Sequence, residues 1–217
     1  MSVLRPSQEN LLRLALETGA LLFGSFVTKA GRETPYFFNS AKLSSGRGAW
    51  AAGQALSDEA VASGLGFDML FGAAYKGIPL AALTAAALQQ GHNLDLKFAY
   101  NRKEAKAHGE GGAVAGAKLE GRVLIVDDVL SAGTSAREAI DLIQNEGAEV
   151  AGLLVLLDRQ ERSLRECSAA QALNDDHGIA VRRVFGLDIL LKAAHTADQD
   201  RETLKRVEDY RKKYGAL

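Results

Sequence analysis

Residues 122–135 are the part of the sequence that most constrains the fold. Four consecutive apolar residues, Val123–Val126, predict a buried strand. Asp127 and Asp128 follow at once, and a short loop of small residues leads into residues 136–146, whose apolar spacing predicts a helix. A strand, a tight turn and a helix in this order are typical of a parallel α/β sheet. Such sheets bind ligands beyond the carboxyl ends of their strands.

The turn after this strand has the chemistry of a sugar-phosphate site. A helix N-terminus offers unpaired N–H groups and a positive dipole end, which suit a phosphate. Gly133 allows close approach to the backbone, and Thr134 and Ser135 add hydroxyl donors. Asp127 and Asp128 would repel a phosphate, so their natural partners are sugar hydroxyls or a hydrated Mg²⁺. The stretch predicts a ribose 5-phosphate site; the alternative is a solvated Asp-Asp turn that caps the helix.

Composition excludes several other classes of protein. The 217 residues suffice for one large domain, and 47% hydrophobic and 24% charged residues are ordinary for a soluble globular chain. A net charge of −1 argues against a nucleic-acid or anionic-membrane partner. The single Cys167 excludes a disulfide within the chain and a multi-cysteine zinc site. Because no secretory signal or membrane-length apolar stretch is present, we expect a cytoplasmic protein.

The remaining sequence surrounds the motif with further α/β units. A helix at 7–18 and a hairpin with strands at 23–28 and 36–39 come first, followed by an Ala-rich helix at 47–63. Strands and helices then alternate, with strands predicted at 69–72, 94–100, 123–126, 150–157 and 179–185. This alternation predicts a mainly parallel central sheet flanked by helices.

Two further stretches could bind anions. Tyr75-Lys76-Gly77 joins a predicted strand to a helix and suits a second anion such as a pyrophosphate, although a solvated lysine in a turn is the alternative. Residues 102–112 hold three cations and a histidine but lack an apolar face. They predict a mobile lid that closes over an anionic substrate, with Lys106 or His108 as donor to a leaving oxygen. The competing interpretation is a solvated charged face.

These motifs resemble known families. The apolar strand, the Asp-Asp pair and the Gly-Thr helix entry resemble the phosphoribosyl pyrophosphate signature of type I phosphoribosyltransferases. Within that group, residues 101–112 resemble the catalytic loop of the orotate phosphoribosyltransferase family, and residues 29–39 resemble its orotate-side hairpin. Residues 71–79 and 157–162 are similar to its pyrophosphate loop and to the segment after its next strand. The resemblance implies a type I phosphoribosyltransferase fold with a small N-terminal hood, formed by a helix and a β-hairpin.

The implied activity is a pentosyl transfer from phosphoribosyl pyrophosphate to orotate, which gives orotidine 5′-monophosphate and pyrophosphate in pyrimidine biosynthesis. We expect a single phosphoribosyltransferase domain over residues 1–217. Its expected parts are the hood and base-side hairpin at about 1–45, the α/β core at about 46–190 and a C-terminal helical segment at about 191–217.

The resemblance also implies roles for individual residues. The expected contacts to phosphoribosyl pyrophosphate are Lys29, Tyr75, Lys76, Arg102, Lys103, Lys106, His108, Asp127, Asp128, Val129, Leu130, Ser131, Ala132, Gly133, Thr134 and Ser135. The expected contacts to orotate are Phe37, Phe38, Ser131 and Arg159. An arginine fork fits a carboxylate with two hydrogen bonds, which independently supports Arg159. The expected catalytic residues are Lys106, His108, Asp127 and Asp128.

The expected cofactor is Mg²⁺, because the leaving diphosphate is a polyanion. The resemblance implies that the ion is held mainly through phosphoribosyl pyrophosphate and water, with no direct protein ligand. It also implies a homodimer in which loop 102–112 completes the neighbour's site.

Two alternatives stay open at this point. A purine or uracil phosphoribosyltransferase would use the same cosubstrate, but Arg159 and the Phe37-Phe38 hairpin argue against it. A ligand-sensing regulator that binds RNA is disfavoured by the near-neutral charge. Two departures from the family pattern, at Ser131 and at residues 40–45, leave the fine shape of the base pocket open.

Overall fold

Eight strands and seven helices account for most of the described residues. The computed structural model describes residues 4–28, 31–106, 112–162, 166–196 and 201–216, without the side chains of 103–106 and 196. The strands are β1 (Leu21–Val27), β2 (Glu33–Phe38), β3 (Met69–Gly72), β4 (Lys97–Lys106), β5 (Gly112–Gly116), β6 (Arg122–Leu130), β7 (Glu149–Asp158) and β8 (Val181–Phe185). The helices are α1 (Pro6–Glu17), α2 (Gly46–Ala62), α3 (Gly77–His92), α4 (Thr134–Asn145), α5 (Ala169–His177), α6 (Leu187–Thr196) and α7 (Arg201–Tyr214), and a 3₁₀ turn spans Ser40–Leu43.

The main sheet has six strands in the order β5-β4-β3-β6-β7-β8. Strands β3, β4, β6, β7 and β8 are parallel, and only β5 at one edge runs antiparallel to its neighbour β4. The predicted mainly parallel sheet is therefore confirmed. Because β6 lies at its centre, between β3 and β7, the loop after β6 opens where several parallel strands end.

The residues of β6 explain why helices cover both faces of the sheet. Val123 and Ile125 pack into one apolar cluster, with α4 and α5. Leu124 and Val126 pack into another, with α1, α2, α3 and α6. All four are at most 1% exposed, as expected for alternating side chains in a strand that is buried on both faces.

The N-terminal hood consists of α1 and the antiparallel hairpin of β1 and β2. Tyr36 of β2 is fully buried and meets Tyr210 of α7 edge to face, with 6.0 Å between the ring centroids. The C-terminal helix therefore packs against the hairpin that was predicted to border the base. None of the helices in the described ranges is long and apolar enough to cross a membrane.

Two strands extend well beyond their predicted carboxyl ends. Strand β6 continues past Val126 to Leu130 because it keeps pairing with β7 as far as Asp158, so the two acids lie on the strand and not in a loop. Strand β4 continues to Lys106 because an antiparallel partner, β5, pairs with its end at Gly112. The predicted loop 102–112 is therefore a β-arm at 102–106 and at 112, while residues 107–111 lie outside the described part of the chain.

Candidate active site

The turn between β6 and α4 is built to receive an anion. Gly133, which precedes the helix, has φ 78° and ψ 14°, a left-handed conformation that glycine adopts without strain. Helix α4 then begins at Thr134, and the exposed hydroxyls of Thr134 and Ser135 lie in its first turn. The turn borders a cavity of about 110 Å³ lined by Asp127, Val129, Leu130, Ser131, Ala132, Gly133, Thr134, Ser135, Ala136, Leu153 and Val155. The structure thus brings together all the residues predicted for the 5′-phosphate.

A second cavity, of about 470 Å³, adjoins the first. It is lined by Thr28, Arg32, Phe38, Lys76, Asp128, Val129, Ser131, Ala132, Arg159, Glu161 and Arg162. The two cavities share Val129, Ser131 and Ala132. These shared loop residues lie between the helix N-terminus and a region that contains three buried or half-buried arginines, Arg32, Arg159 and Arg162, and we call the two cavities together the groove.

The two acids face different parts of this groove. Asp127 lines the smaller cavity and Asp128 the larger one, since successive strand residues point to opposite sides. Burial, and next the negative charge of Asp128, raise the pKa of the Asp127 carboxyl to about 7. Its Oδ1 accepts a 2.8 Å hydrogen bond from the backbone N–H of Asp128. A donor-rich or cationic ligand beside Asp127 would favour its ionised form.

Asp128 is 7% exposed and is held from two sides. Its Oδ2 accepts hydrogen bonds from Lys76 Nζ at 2.8 Å and from Ser40 Oγ at 2.6 Å. Lys76 directly precedes α3, and its side chain is 50% exposed, so it lies at the rim of the larger cavity. Ser40 was not predicted as a site residue, although it belongs to the stretch that departs from the family pattern.

Close packing fixes the turn that bears Lys76. A Cβ added at Gly72 would lie 2.5 Å from the carbonyl oxygen of Gly77, so the backbone there has room only for glycine. The side chain of Asn101, on β4, accepts a 2.7 Å hydrogen bond from the N–H of Ala74. Tyr75 is 63% exposed in the same turn. Asn101 is therefore a supporting residue that the sequence did not reveal.

Arg159 is the central cation of the larger cavity. It is 9% exposed and follows β7 directly. Its Nε donates to Glu161 Oε1 at 2.8 Å, and its Nη2 lies 2.6 Å from the same oxygen. The guanidinium also stacks on the ring of Tyr36, 4.7 Å from the centroid. Burial alone lowers the pKa of Arg159, but Tyr36 and Glu161 outweigh it and raise that pKa, so the group stays charged.

The two phenylalanines of β2 are not equivalent. Phe38 is 7% exposed and lines the larger cavity. Phe37 is 42% exposed and stacks on Phe26 with 5.5 Å between centroids, on the other side of the hairpin. Only Phe38 lies beside the cavity in this structure, because neighbouring strand residues face opposite ways.

For four of the predicted site residues the structure describes no side chain. Lys29 and His108 lie outside the described residues. Lys103 and Lys106 belong to the backbone of β4, and their side chains are not described. Arg102 is half-buried on the same strand.

Asp127 and Asp128 would provide only a small part of the coordination shell of a metal ion. Within the described ranges, no three His, Cys, Asp or Glu side chains converge in a way that could hold a metal. Asp128 is already engaged by Lys76, and Asp127 has a raised pKa. A Mg²⁺ here would need most of its oxygen ligands from substrate and water.

Comparison with known proteins agrees with this geometry. A family model described as "Phosphoribosyl transferase domain" matches residues 42–179. The orotate phosphoribosyltransferase of Klebsiella pneumoniae (strain 342) is 45% identical over 212 residues, which cover 98% of this chain and 100% of that protein. The one from Pseudomonas aeruginosa is 47% identical over 208 residues, covering 96% and 98%.

The solved structures include an orotate phosphoribosyltransferase from Francisella tularensis. It is 32% identical, superposes with a TM-score of 0.84, and the match covers 94% of this chain and 98% of that one. The chain therefore has the type I phosphoribosyltransferase fold and belongs to the orotate phosphoribosyltransferase family.

Proposed function

We propose that this chain transfers the ribose 5-phosphate of phosphoribosyl pyrophosphate to orotate, which yields orotidine 5′-monophosphate and pyrophosphate. The observation that carries the proposal is that one loop borders two cavities, with a phosphate-type helix entry beside the first and a buried, charged Arg159 in the second. Such a groove matches a substrate pair with a phosphate at one end and a carboxylate at the other.

At the phosphate end, residues 131–135 receive the 5′-phosphate. Free N–H groups in the first turn of α4 point to this loop, and Thr134 and Ser135 add hydroxyl donors. The buried Gly133 lets the phosphate approach the backbone. The remaining lining residues, Val129, Leu130 and Ala132, shape the loop without charge.

In the middle of the groove, Asp127 and Asp128 hold the ribose hydroxyls. The anomeric carbon becomes positively charged in the transition state, and two carboxylates beside the ribose stabilise that charge. Because the pKa of Asp127 is raised to about 7, ribose hydroxyls that donate to its carboxylate would favour ionisation. Mg²⁺ would neutralise the diphosphate and would be held mainly through that substrate and water.

The leaving diphosphate needs cations. Lys76 lies at the rim of the groove, and with Lys29 and Tyr75 it forms the expected fixed contact. Loop 102–112, whose described part is the β-arm, would supply Arg102, Lys103, Lys106 and His108. Closure of this arm would exclude water from the reacting centre.

At the base end of the groove, the charged side chains favour a ligand that carries a carboxylate. Arg32 and Arg159 face one carboxylate, Glu161, so the cavity keeps a surplus positive charge among these three groups. Orotate carries a carboxylate that would balance this surplus, whereas uracil and the purine bases do not. Phe38 and Ser131 border the same space, and Phe37 could reach it only by leaving Phe26.

We further propose that residues 1–217 act as one catalytic unit of hood, core and C-terminal segment, and that the enzyme works as a homodimer in the cytoplasm. Loop 102–112, which includes the β-arm, would complete the neighbour's site. The antiparallel pairing of Lys106 with Gly112 supports an arm at this edge of the sheet. A near-neutral charge supports small-molecule partners over nucleic acid.

A pyrophosphate-release assay with orotate, phosphoribosyl pyrophosphate and Mg²⁺ tests the proposal. The wild type should turn over orotate, and Lys106→Ala should lower turnover on the order of 10²-fold, as for other lost electrostatic donors. Uracil, hypoxanthine and adenine serve as competing bases. Turnover of orotate at blank level, with turnover of another base, would favour the related transferases. Salt-sensitive RNA retention without pyrophosphate release would favour a regulator.

A further inference from the structure

The C-terminal helix contributes a hydroxyl to the base end of the groove. Tyr210 of α7 is 6% exposed, and its hydroxyl donates a 2.8 Å hydrogen bond to Glu161 Oε1. The two residues are 49 positions apart in the chain. The oxygen that Tyr210 contacts is the same one that accepts from Arg159.

Glu161 is therefore the junction of a buried network. Its Oε1 also accepts from Tyr36 at 3.1 Å, and its Oε2 accepts from Arg32 at 3.1 Å. Burial, followed by the charge of Glu161, raises the pKa of Tyr210, and burial raises that of Tyr36. Both phenols consequently remain protonated donors at neutral pH.

The network decides which edge of Arg159 faces a ligand. Nε and Nη2 both lie within 2.8 Å of Glu161 Oε1, and Nη2 also approaches Thr34 Oγ1 at 3.3 Å. A substrate carboxylate must therefore use the part of the guanidinium that Glu161 leaves accessible. The stacking of Arg159 on Tyr36 restricts the plane in which that part can lie.

The end of α7 is fastened to the same segment through its backbone. The N–H of Arg162 donates to the carbonyl of Tyr214 at 2.7 Å, and the N–H of Ala216 donates to the carbonyl of Gln160 at 2.8 Å. These bonds hold the segment that contains Glu161 to the C-terminal helix from both sides. The helix is thereby coupled to Arg159, which precedes Gln160.

We propose that Tyr210 and Glu161 are positioning residues that aim Arg159 at the carboxylate of the base and so set the preference for orotate. The inference rests on the proposed function and adds a part of the chain, α7, to its specificity. Without the Tyr210 hydroxyl, Glu161 loses one of its four donor residues and holds Arg159 in place less firmly. The affinity for a carboxylated base should fall while the phosphate end of the groove is unaffected.

The test compares Tyr210→Phe with Tyr214→Phe. Tyr214 lies on the same helix, its ring stacks near Tyr210 and Arg32, and phenylalanine keeps its ring and backbone contacts. In the described part of the chain its hydroxyl makes no hydrogen bond to Glu161. The KM for orotate should rise about 5- to 20-fold in Tyr210→Phe, near or below the low end expected for a hydrogen bond to a charged group because the other donors to Glu161 remain, and should stay within twofold of the wild type in Tyr214→Phe.

Three further readouts separate positioning from a general structural role. The KM for phosphoribosyl pyrophosphate should change little in Tyr210→Phe, and inhibition by uracil, which lacks the carboxylate, should be unchanged. Glu161→Gln should also raise the KM for orotate. A lower KM in that variant would mean that Glu161 competes with the substrate, which overturns the proposal.

An unchanged KM for orotate in Tyr210→Phe, or equal losses for orotate and uracil, would also overturn the inference while leaving the transferase activity intact. Absence of orotate turnover in the wild type would instead refute the proposed function itself. The two failures are therefore distinguishable in one set of assays.

Discussion

Ser40 Oγ donates a 2.6 Å hydrogen bond to Asp128 Oδ2, across 88 residues of sequence. The serine begins the 3₁₀ turn that follows the hood hairpin, and the aspartate lies on the central strand β6. The bond therefore ties the hood to one of the two acids expected to hold the ribose. It shares its acceptor oxygen with Lys76 Nζ, so three parts of the fold meet at one carboxylate.

We expect Ser40→Ala to weaken this orientation of Asp128. Hydrogen bonds to charged groups contribute about 1.5–3 kcal/mol, and because Lys76 remains, we expect a rise in KM for phosphoribosyl pyrophosphate of only about 3- to 10-fold. The measurement is initial-rate kinetics at saturating orotate. Ser44→Ala is the control, because Ser44 is exposed just after the same 3₁₀ turn. Equal effects of both substitutions would contradict a specific role for Ser40.

Lys76 is expected to exchange partners when substrate binds. In the structure its Nζ is 2.8 Å from Asp128, and the diphosphate is the stronger attraction because it bears more charge. Lys76→Gln should raise the KM for phosphoribosyl pyrophosphate on the order of tenfold or more, since it removes a charged contact.

A surface lysine gives the matching control for Lys76. Lys97 pairs with Glu120 at 3.0 Å, and both side chains are well exposed at the start of β4, the end of the strand away from the groove. Exposed pairs of this kind contribute little. Lys97→Gln should therefore leave the kinetics unchanged, and a similar loss in both variants would point to a general effect of charge.

The sequence was sufficient to predict the centre of this molecule. Val123–Val126 and the acids after them identify the central strand, and the apolar runs at β3 and β7 identify its neighbours, because burial on both faces leaves a continuous apolar signature. The Gly133 turn was equally predictable, since its role depends on local backbone geometry.

Features that depend on distant partners could not be predicted. The extension of β4 to Lys106 depends on its pairing with β5, and the polar sequence at the end of β4 gives no indication of this pairing. Ser40 and Tyr210 are single polar residues, and only the folded chain shows that they contact Asp128 and Glu161. Even Arg159, predicted as the carboxylate ligand, gave no indication that Glu161 already occupies its Nε and Nη2.

Asp127→Asn should be more stable than the wild type at high pH, and this advantage should disappear at low pH. The carboxyl has a folded-state pKa of about 7 against a usual value of 3.8. Well below pH 3.8 the carboxyl is protonated in both the folded and the unfolded state, so it does not change the free energy of unfolding. As pH rises towards 7 and above, the unfolded state ionises more readily, so wild-type stability is progressively lost.

The asparagine variant lacks this loss, so its advantage should be absent near pH 4 and on the order of 1–3 kcal/mol at pH 8, with allowance for coupling to Asp128. Urea denaturation at several pH values measures the difference. Glu120→Gln is the contrasting variant, because a hydrogen bond from Lys97 lowers the pKa of that exposed carboxyl, so its small effect should have the opposite sign. An advantage of Asp127→Asn that stays constant across pH would contradict the burial of Asp127.

Gly133→Ala should impair phosphate binding beyond its effect on stability. Gly133 has φ +78°, and a Cβ there would lie 3.3 Å from Arg137 Nη1 beside the phosphate loop. Gly147, beyond the far end of α4, has the similar φ of +82° but no atom within 4 Å of its added Cβ. Alanine in the left-handed region costs about 1–2 kcal/mol at either position.

Thermal melts should therefore show comparable losses for Gly133→Ala and Gly147→Ala, since both bear the same backbone strain. The KM for phosphoribosyl pyrophosphate should rise at least about tenfold only in Gly133→Ala, because there the methyl group also separates the phosphate from the backbone N–H donors. If the two variants had the same KM, the turn would not be the place where the phosphate meets the backbone.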